Sequence, residues 1–78
     1  MTNRGGEHMP IIIAPKDTEL SIVKVLADDK TKKHLESLGV AVGGKIIIIS
    51  SNGGNVIAIV KGVRLALNKD VASKILVA

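Results

Sequence analysis

The chain has 78 residues and a mass of 8.1 kDa, which is the size of one small domain. Hydrophobic residues make up 46% of it, yet aromatic residues and cysteine are absent. This composition excludes disulfides, thiolate zinc sites, iron–sulfur ligation and a cysteine nucleophile. It also removes the aromatic platforms on which small barrels stack nucleic-acid bases, and the aromatic groove that a proline-rich peptide requires.

Eleven Lys and Arg against seven Asp and Glu give a net charge of +4. A basic balance favours nucleic acid, acidic headgroups or an acidic protein partner. The charges are scattered except for Lys30, Lys32 and Lys33, which are flanked by carboxylates and are typical of a solvated helix face. Because no apolar run approaches the ~18 residues of a membrane helix, we expect a cytoplasmic domain without membrane insertion.

The N-terminal segment divides into a polar part and an apolar part. Residues 1–8 carry no pattern, and we predict that they are a disordered or cloning-derived tail, leaving 9–78 as the single domain. Met9–Ala14 is apolar and ends at Pro15, which is typical of an edge strand or of an arm laid across a barrel.

A strand and a helix are predicted next. Glu19–Ala27 alternates as a strand that is apolar on most of both sides, with Ile22, Lys24 and Leu26 on one face. Asp28 is a candidate N-cap for a helix that continues to Leu38 on a narrow apolar stripe. Gly39 then ends the helix, since the left-handed conformation that follows a helix carries no steric penalty for glycine.

The second half of the chain predicts a hairpin and two further strands. Asn52, Gly53 and Gly54 lie between two aliphatic runs and favour a tight turn with positive φ angles. Gly62 interrupts the pattern and predicts a bulge or sharp bend. A half-buried strand, one helical turn and a closing strand follow, over Val63–Leu67, Asn68–Ser73 and Lys74–Ala78.

The order of these elements predicts the fold class. Five or six short strands without repeats indicate a mainly β protein, built as a small, strongly bent barrel. It carries one inserted helix over about residues 29–38 and a short helical turn near 69–73.

The sequence also resembles a known family. The fold-marking pieces are Leu38-Gly39-Val40 with a second glycine four residues after Gly39, and Gly62-x-Arg64-x-Ala66-Leu67 followed by Ala72 and Ile75. Over Pro15–Val77 the chain resembles the FeoA-like family, ferrous iron transport protein A. The resemblance implies an SH3-like β-barrel with a helical insertion. It further implies a non-catalytic cytoplasmic accessory of ferrous iron uptake, which docks on and modulates a GTP-binding membrane permease.

Candidate chemistry in the residues is sparse. The serines lack a histidine pattern or nucleophile elbow, so we expect no enzyme. Asp28, Asp29 and His34 are weak metal candidates, because the helical spacing does not bring His34 beside either carboxylate. We expect no resident cofactor and at most a weakly bound divalent metal.

The more informative feature is a surplus of aliphatic side chains in the hairpin. Since alternate residues of a barrel strand face in and out, either Ile46 and Ile48 or the intervening isoleucines must face outward. We predict a docking or self-association face that contains Ile46, Ile48, Ile57 and Ile59. Alternatively, the helix or the N-terminal arm covers this surplus.

Basic side chains are predicted to complement an acidic patch on the permease. The candidates are Lys30, Lys32, Lys33 and Arg64. The alternative function is a small basic barrel that binds nucleic acid or acts in a metal-responsive regulator, although the lack of aromatic residues disfavours nucleic acid.

Overall fold

A computed structural model describes residues 8–78 of the chain. The predicted tail, apart from His8, therefore lies outside the described residues. Six strands and two short α-helices occur in this range, as the sequence pattern predicts for a mainly β protein. The strands are β1 (Met9–Pro10), β2 (Glu19–Val25), β3 (Lys45–Asn52), β4 (Asn55–Val60), β5 (Val63–Leu67) and β6 (Ile75–Val77). The helices are α1 (Asp29–Ser37) and α2 (Lys69–Ala72), and a 3-10 turn covers Ile11–Ile13.

The strands form one bent antiparallel sheet in the order β1-β6-β2-β3-β4-β5. β2 takes part in both halves of this sheet, because Glu19–Ser21 pairs with β3 and Ile22–Val25 pairs with β6. Within residues 8–78 no backbone ladder joins β5 to β1, so the barrel is completed by side chains. The 3-10 turn contacts β4, β6 and α2, and it places Ile11 fully inside the core.

The core is entirely aliphatic, and no polar or charged side chain of residues 8–78 is buried. Alternate residues of β3, β4 and β6 point into it and meet the first half of β2 and Leu35 of α1. Burying this apolar surface is the main favourable contribution to folding in a chain of this size.

The alternation predicted for β2 is wrong beyond Ile22. The ladder between β2 and β6 shifts register between Ile22 and Lys24, which is a β-bulge. The bulge reverses the faces of the following residues, so Val25 is buried and Leu26 is 52% exposed. Lys24 is thereby directed to solvent instead of sharing the core face with Ile22.

Both hairpin turns have two residues at positive φ, and each contains glycine. Gly53 and Gly54 have φ of 62° and 91° and join the paired Asn52 and Asn55, which confirms the predicted tight turn. The sharp bend predicted at Gly62 is also present, and it is a turn rather than a bulge. Lys61 and Gly62, with φ of 53° and 79°, form a second two-residue turn between β4 and β5.

The predicted ends of α1 are confirmed. The Asp28 carboxylate accepts a hydrogen bond from the Thr31 amide at 2.9 Å, which caps the first turn. At the other end Gly39 has a φ of 97°, and the amides of Gly39 and Val40 donate to the carbonyls of Glu36 and Leu35. This pair of bonds is a Schellman motif.

Replacing Gly39 should destabilise the fold. The substitution Gly39→Ala forces an L residue to the left-handed φ of 97°, and its Cβ would lie 3.0 Å from Cγ1 of Val60. We expect a loss of about 1–2 kcal/mol in the free energy of unfolding, measured by urea denaturation. Gly53→Asn is the control, because asparagine tolerates this turn conformation and nothing lies within 4 Å of its Cβ position. Equal losses for the two variants would contradict this explanation.

Candidate interaction surface

The outer face of the β3–β4 hairpin carries the aliphatic surplus. Ile47, Ile49, Ile57 and Ile59 point away from the core and remain partly exposed to solvent, and we call them the isoleucine face. Ile47 and Ile59 are direct cross-strand partners, so they pack side by side. The four side chains occupy neighbouring positions on two paired strands and form an apolar strip. A β-bulge after Ile48 places the exposed Ser50 opposite Ile57 at one end of this strip.

The prediction that Ile46 and Ile48 belong to this face is wrong. Both side chains are 0% exposed and lie in the core. Ile46 pairs with Leu20 and Ile48 pairs with Ala58, and both partners are buried as well. The opposite orientation of β3 would also turn Lys45 inward, which is costly for an unpaired charge. Ile57 and Ile59 do lie on the outer face, and their role in binding stays a prediction.

Charged residues border the isoleucine face at one end. Glu19 pairs with Ile47 and Arg64 pairs with Ile59, so one row crosses β2, β3, β4 and β5. A surface depression of about 340 Å³ lies beside this row. It is lined by Glu19, Lys45, Ile47, Ile59, Lys61 and Gly62. The border is therefore mostly positive around an aliphatic floor.

The predicted basic residues fall on two separate elements. Arg64 is exposed on β5 beside Ile59, so the sheet places it next to the isoleucine face. Lys30 and Lys33 are exposed on α1, where Lys32 is half-buried. Lys32 and Glu36 line another depression, of about 210 Å³, together with Val25 and the residues 40–42. The helix thus carries a basic surface of its own.

The alternative prediction, that the helix or arm covers the surplus, is not what the described residues show. Ile11 of the arm inserts into the core, and Leu35 is the buried residue of α1. Ile47 and Ile59 instead line an open depression. Solvent therefore reaches the isoleucine face.

The weak metal candidates are not brought together. Among residues 8–78, no three His, Asp or Glu side chains lie close enough to hold a metal ion. Asp28 is engaged as the helix cap, and hydrogen bonds from the Thr31 hydroxyl and amide lower the pKa of its carboxylate. Lys74 lowers this pKa further. This carboxylate caps the first turn of α1, and a weakly bound metal at Asp28, Asp29 or His34 stays a prediction.

Two comparisons with solved structures define the class of protein. The crystal structure of an "Iron Uptake Regulatory Protein (FeoA)" superposes with a TM-score of 0.79 at 25% identity, over 92% of this chain and 96% of that one. The manganese regulator SloR matches with a TM-score of 0.75 at 15% identity, over 90% of this chain and 34% of that one. The second likeness is one of fold alone. The fold is thus the SH3-like fold of FeoA proteins.

The sequence comparisons identify the family. Residues 9–78 match the FeoA domain. A protein of Methanocaldococcus jannaschii named "Putative Fe(2+) transport protein A" is 31% identical over 68 residues, which is 87% of this chain and 83% of that protein. The chain belongs to the FeoA family, whose members are accessory proteins of ferrous iron transport. This family is not a known enzyme family. In the described part of the chain, neither helix has the length or the apolar character to cross a bilayer.

Neighbouring isoleucines of β3 should respond oppositely to charge. Ile46→Lys places an ammonium group in the aliphatic core, which costs several kcal/mol and should unfold a domain of this size. Ile47→Lys places the same group on the outer face, where its stem lies along the sheet and its charge reaches water. The folded state and the Tm of both variants are measured by circular dichroism during thermal melting. A folded Ile46→Lys protein together with an unfolded Ile47→Lys protein would reverse the assigned orientation of β3.

The helix cap should give stability a pH dependence. Because the pKa of Asp28 is lower in the folded protein, its stabilisation is present above the unfolded pKa of about 4 and is lost as pH falls through the folded pKa. Asp28→Ala should reduce Tm by a few degrees at pH 7, and this difference from the wild type should shrink at pH 3. Asp28→Asn keeps an uncharged cap, so its advantage over Asp28→Ala should stay constant across the same range. If the Tm difference between the wild type and Asp28→Ala stays the same from pH 7 to pH 3, the charge of the carboxylate contributes nothing to stability.

Proposed function

We propose that this FeoA protein docks on the cytoplasmic side of the GTP-binding ferrous-iron permease and modulates its activity, using the isoleucine face. The observation that supports the proposal is the solvent-accessible aliphatic strip of the hairpin in a family of iron-transport accessory proteins. Contiguous apolar patches of this kind usually mark interaction sites. The protein carries no iron in this proposal, and its action is that of a binding module.

The composition limits how the partner is held. With no aromatic side chain, the face cannot supply the aromatic anchors that dominate many interfaces. Affinity must therefore come from aliphatic packing over Ile47 and Ile59 and into the adjoining depression. Because these isoleucines are already partly buried, each adds less to the binding free energy than a fully exposed side chain would. We therefore expect a moderate affinity.

Charge determines which surface of the permease fits. Lys45, Lys61 and Arg64 border the face against the single carboxylate of Glu19, so the matching surface is apolar at its centre and acidic at its rim. The lysines of α1, at positions 30, 32 and 33, extend the positive field over a second element. Such rim charges mainly accelerate association and make it sensitive to salt.

A charge placed in the isoleucine face should weaken docking. Ile59→Lys should raise the Kd for the purified GTP-binding cytoplasmic domain of the permease about tenfold or more, measured by biolayer interferometry at low micromolar protein. Val42→Lys is the matched control, because Val42 is 66% exposed and belongs to the connection that precedes β3. A Kd that rises equally in both variants, or in neither, would contradict docking through this face.

The same binding measurement distinguishes a contact through the sheet rim from one through the lysines of α1. It also distinguishes docking on the permease from nucleic-acid binding. If the sheet rim makes the contact, Arg64→Glu slows association and flattens its salt dependence, whereas Lys33→Glu on the helix changes it little. Binding of a generic RNA at physiological salt, with no binding of the permease domain, would instead favour the nucleic-acid alternative.

A further inference from the structure

The strand β5 is an unprotected edge whose free backbone groups can be assigned residue by residue. Val60 and Val63 close a two-residue turn, so they exchange both backbone hydrogen bonds. Alternation then makes Ala58 with Leu65 the next hydrogen-bonded pair. The N–H and C=O groups of Arg64 and Ala66 consequently point away from β4.

An independent hydrogen bond supports this assignment. The Ile48 carbonyl accepts from the Asp17 amide at 2.8 Å, on the side of β3 opposite to β4. Ala58, which pairs with Ile48, must therefore direct its own backbone groups away from β3 and toward β5. The outward direction of Arg64 and Ala66 thus follows from two separate contacts.

The two edges of the sheet are treated differently. β1 has only two residues and contains Pro10, a short edge of the kind that blocks strand addition. β5 has five residues in unbroken register with β4, without proline, and both Arg64 and Ala66 are exposed. Val63 adds an apolar side chain that is 56% exposed. In the described part of the chain, no other strand pairs with this edge.

We propose that β5 is a self-association edge, at which two copies of this chain pair antiparallel around a twofold axis at Leu65. In this register Arg64 of each copy lies opposite Ala66 of the other and exchanges two backbone hydrogen bonds with it. The two sheets then become continuous. This interface is formed by the backbone edge of β5, although Arg64 and Ile57 also belong to the surface proposed to dock on the permease. Self-association does not depend on that docking.

The side chains of β5 are self-complementary in this register. On the inner side, exposed Val63 lies opposite Leu67 of the second copy, and Leu65 meets its own symmetry mate, so the apolar edge is covered. On the outer side, the large Arg64 lies over the small Ala66. A pairing centred on Arg64 would instead place two guanidinium groups directly opposite each other, which is unfavourable.

A depression beside Ala66 is suited to the incoming arginine. It has a volume of about 290 Å³ and is lined by Asn55, Val56, Ile57, Ala66, Leu67 and Asn68. The Oδ1 atoms of Asn55 and Asn68 accept hydrogen bonds from the amides of Lys69 and Val71, and each retains a second lone pair. Ile57 offers an apolar wall to the arginine stem.

The expected dimer is weak and depends on salt in a characteristic way. A five-residue strand buries less than the roughly 800 Å² per partner of a stable complex, so the Kd should lie in the high micromolar range. Two chains of net charge +4 repel each other, so added salt should strengthen the dimer. Docking on an acidic permease surface should weaken with salt, and the two associations can thus be told apart.

Substitutions of Ala66 test the register. Sedimentation equilibrium of the full chain from about 10 µM to 1 mM should show a monomer–dimer equilibrium. Ala66→Glu places a carboxylate opposite Arg64 of the second copy and should lower the Kd roughly 3- to 10-fold. Ala66→Lys places a like charge there and should raise it by at least as much. A monomer at every concentration, or a dimer indifferent to both substitutions, would overturn the proposal.

A disulfide provides a second readout, because the chain contains no cysteine of its own. Leu65 lies on the axis in a non-hydrogen-bonded pair, where the two Cα atoms are about 4.5 Å apart, within disulfide range. Leu65→Cys should therefore cross-link rapidly under mild oxidation. Val63→Cys is the control, since its two copies are separated by about 13 Å in this register. Equal cross-linking of both variants would exclude pairing centred on Leu65. If sedimentation or cross-linking fails to show the dimer, the Kd measured for the permease domain is unaffected. That Kd is measured at low micromolar protein, where the chain is monomeric.

Discussion

The alternation of inward and outward side chains in β3 and β4 is the constraint on which the rest of the structure depends. It holds over Lys45–Ile48 and Asn55–Val60, and a β-bulge follows Ile48. Both strands are aliphatic at almost every position, but a barrel this small accepts only one of every two side chains. Ile46 and Ile48 fill the core together with Val56, Ala58 and Val60. The remaining isoleucines have no place inside, and they form the isoleucine face on which the proposed function rests.

Elements that depend on local chemistry could be predicted from the sequence. The cap at Asp28, the helix end at Gly39 and the turn at Gly53 each require one residue type in one backbone conformation, and the structure has all three. The faces of β2 could not be predicted in full, because the bulge after Ile22 arises from pairing with β6, a strand about fifty residues later in the chain. The sheet order and the free edge at β5 likewise depend on distant pairings.

The candidate site was predictable only in part. Both phases of β3 are apolar, so hydrophobicity alone cannot distinguish Ile46 from Ile47, although the charge of Lys45 marks the outward phase. Asn55 at the start of β4 and Lys61 just after its end mark the outward phase in the same way. There the prediction that Ile57 and Ile59 face outward agrees with the structure. Arg64 lies beside Ile59 because the turn at Lys61 has two residues. The presence of Gly62 in the sequence predicts a bend there but does not determine its length.

The sharing of β2 between the two halves of the sheet has a mechanical consequence. Glu19 stands at the rim of the isoleucine face, and only a few residues later the same strand is bonded to β6 and contributes Ile22 to the core. A partner that twists β2 at Glu19 therefore also strains the ladder at Ile75–Val77 and the packing around it. The rim of the isoleucine face and the C-terminal strand are thus coupled through the backbone of a single strand.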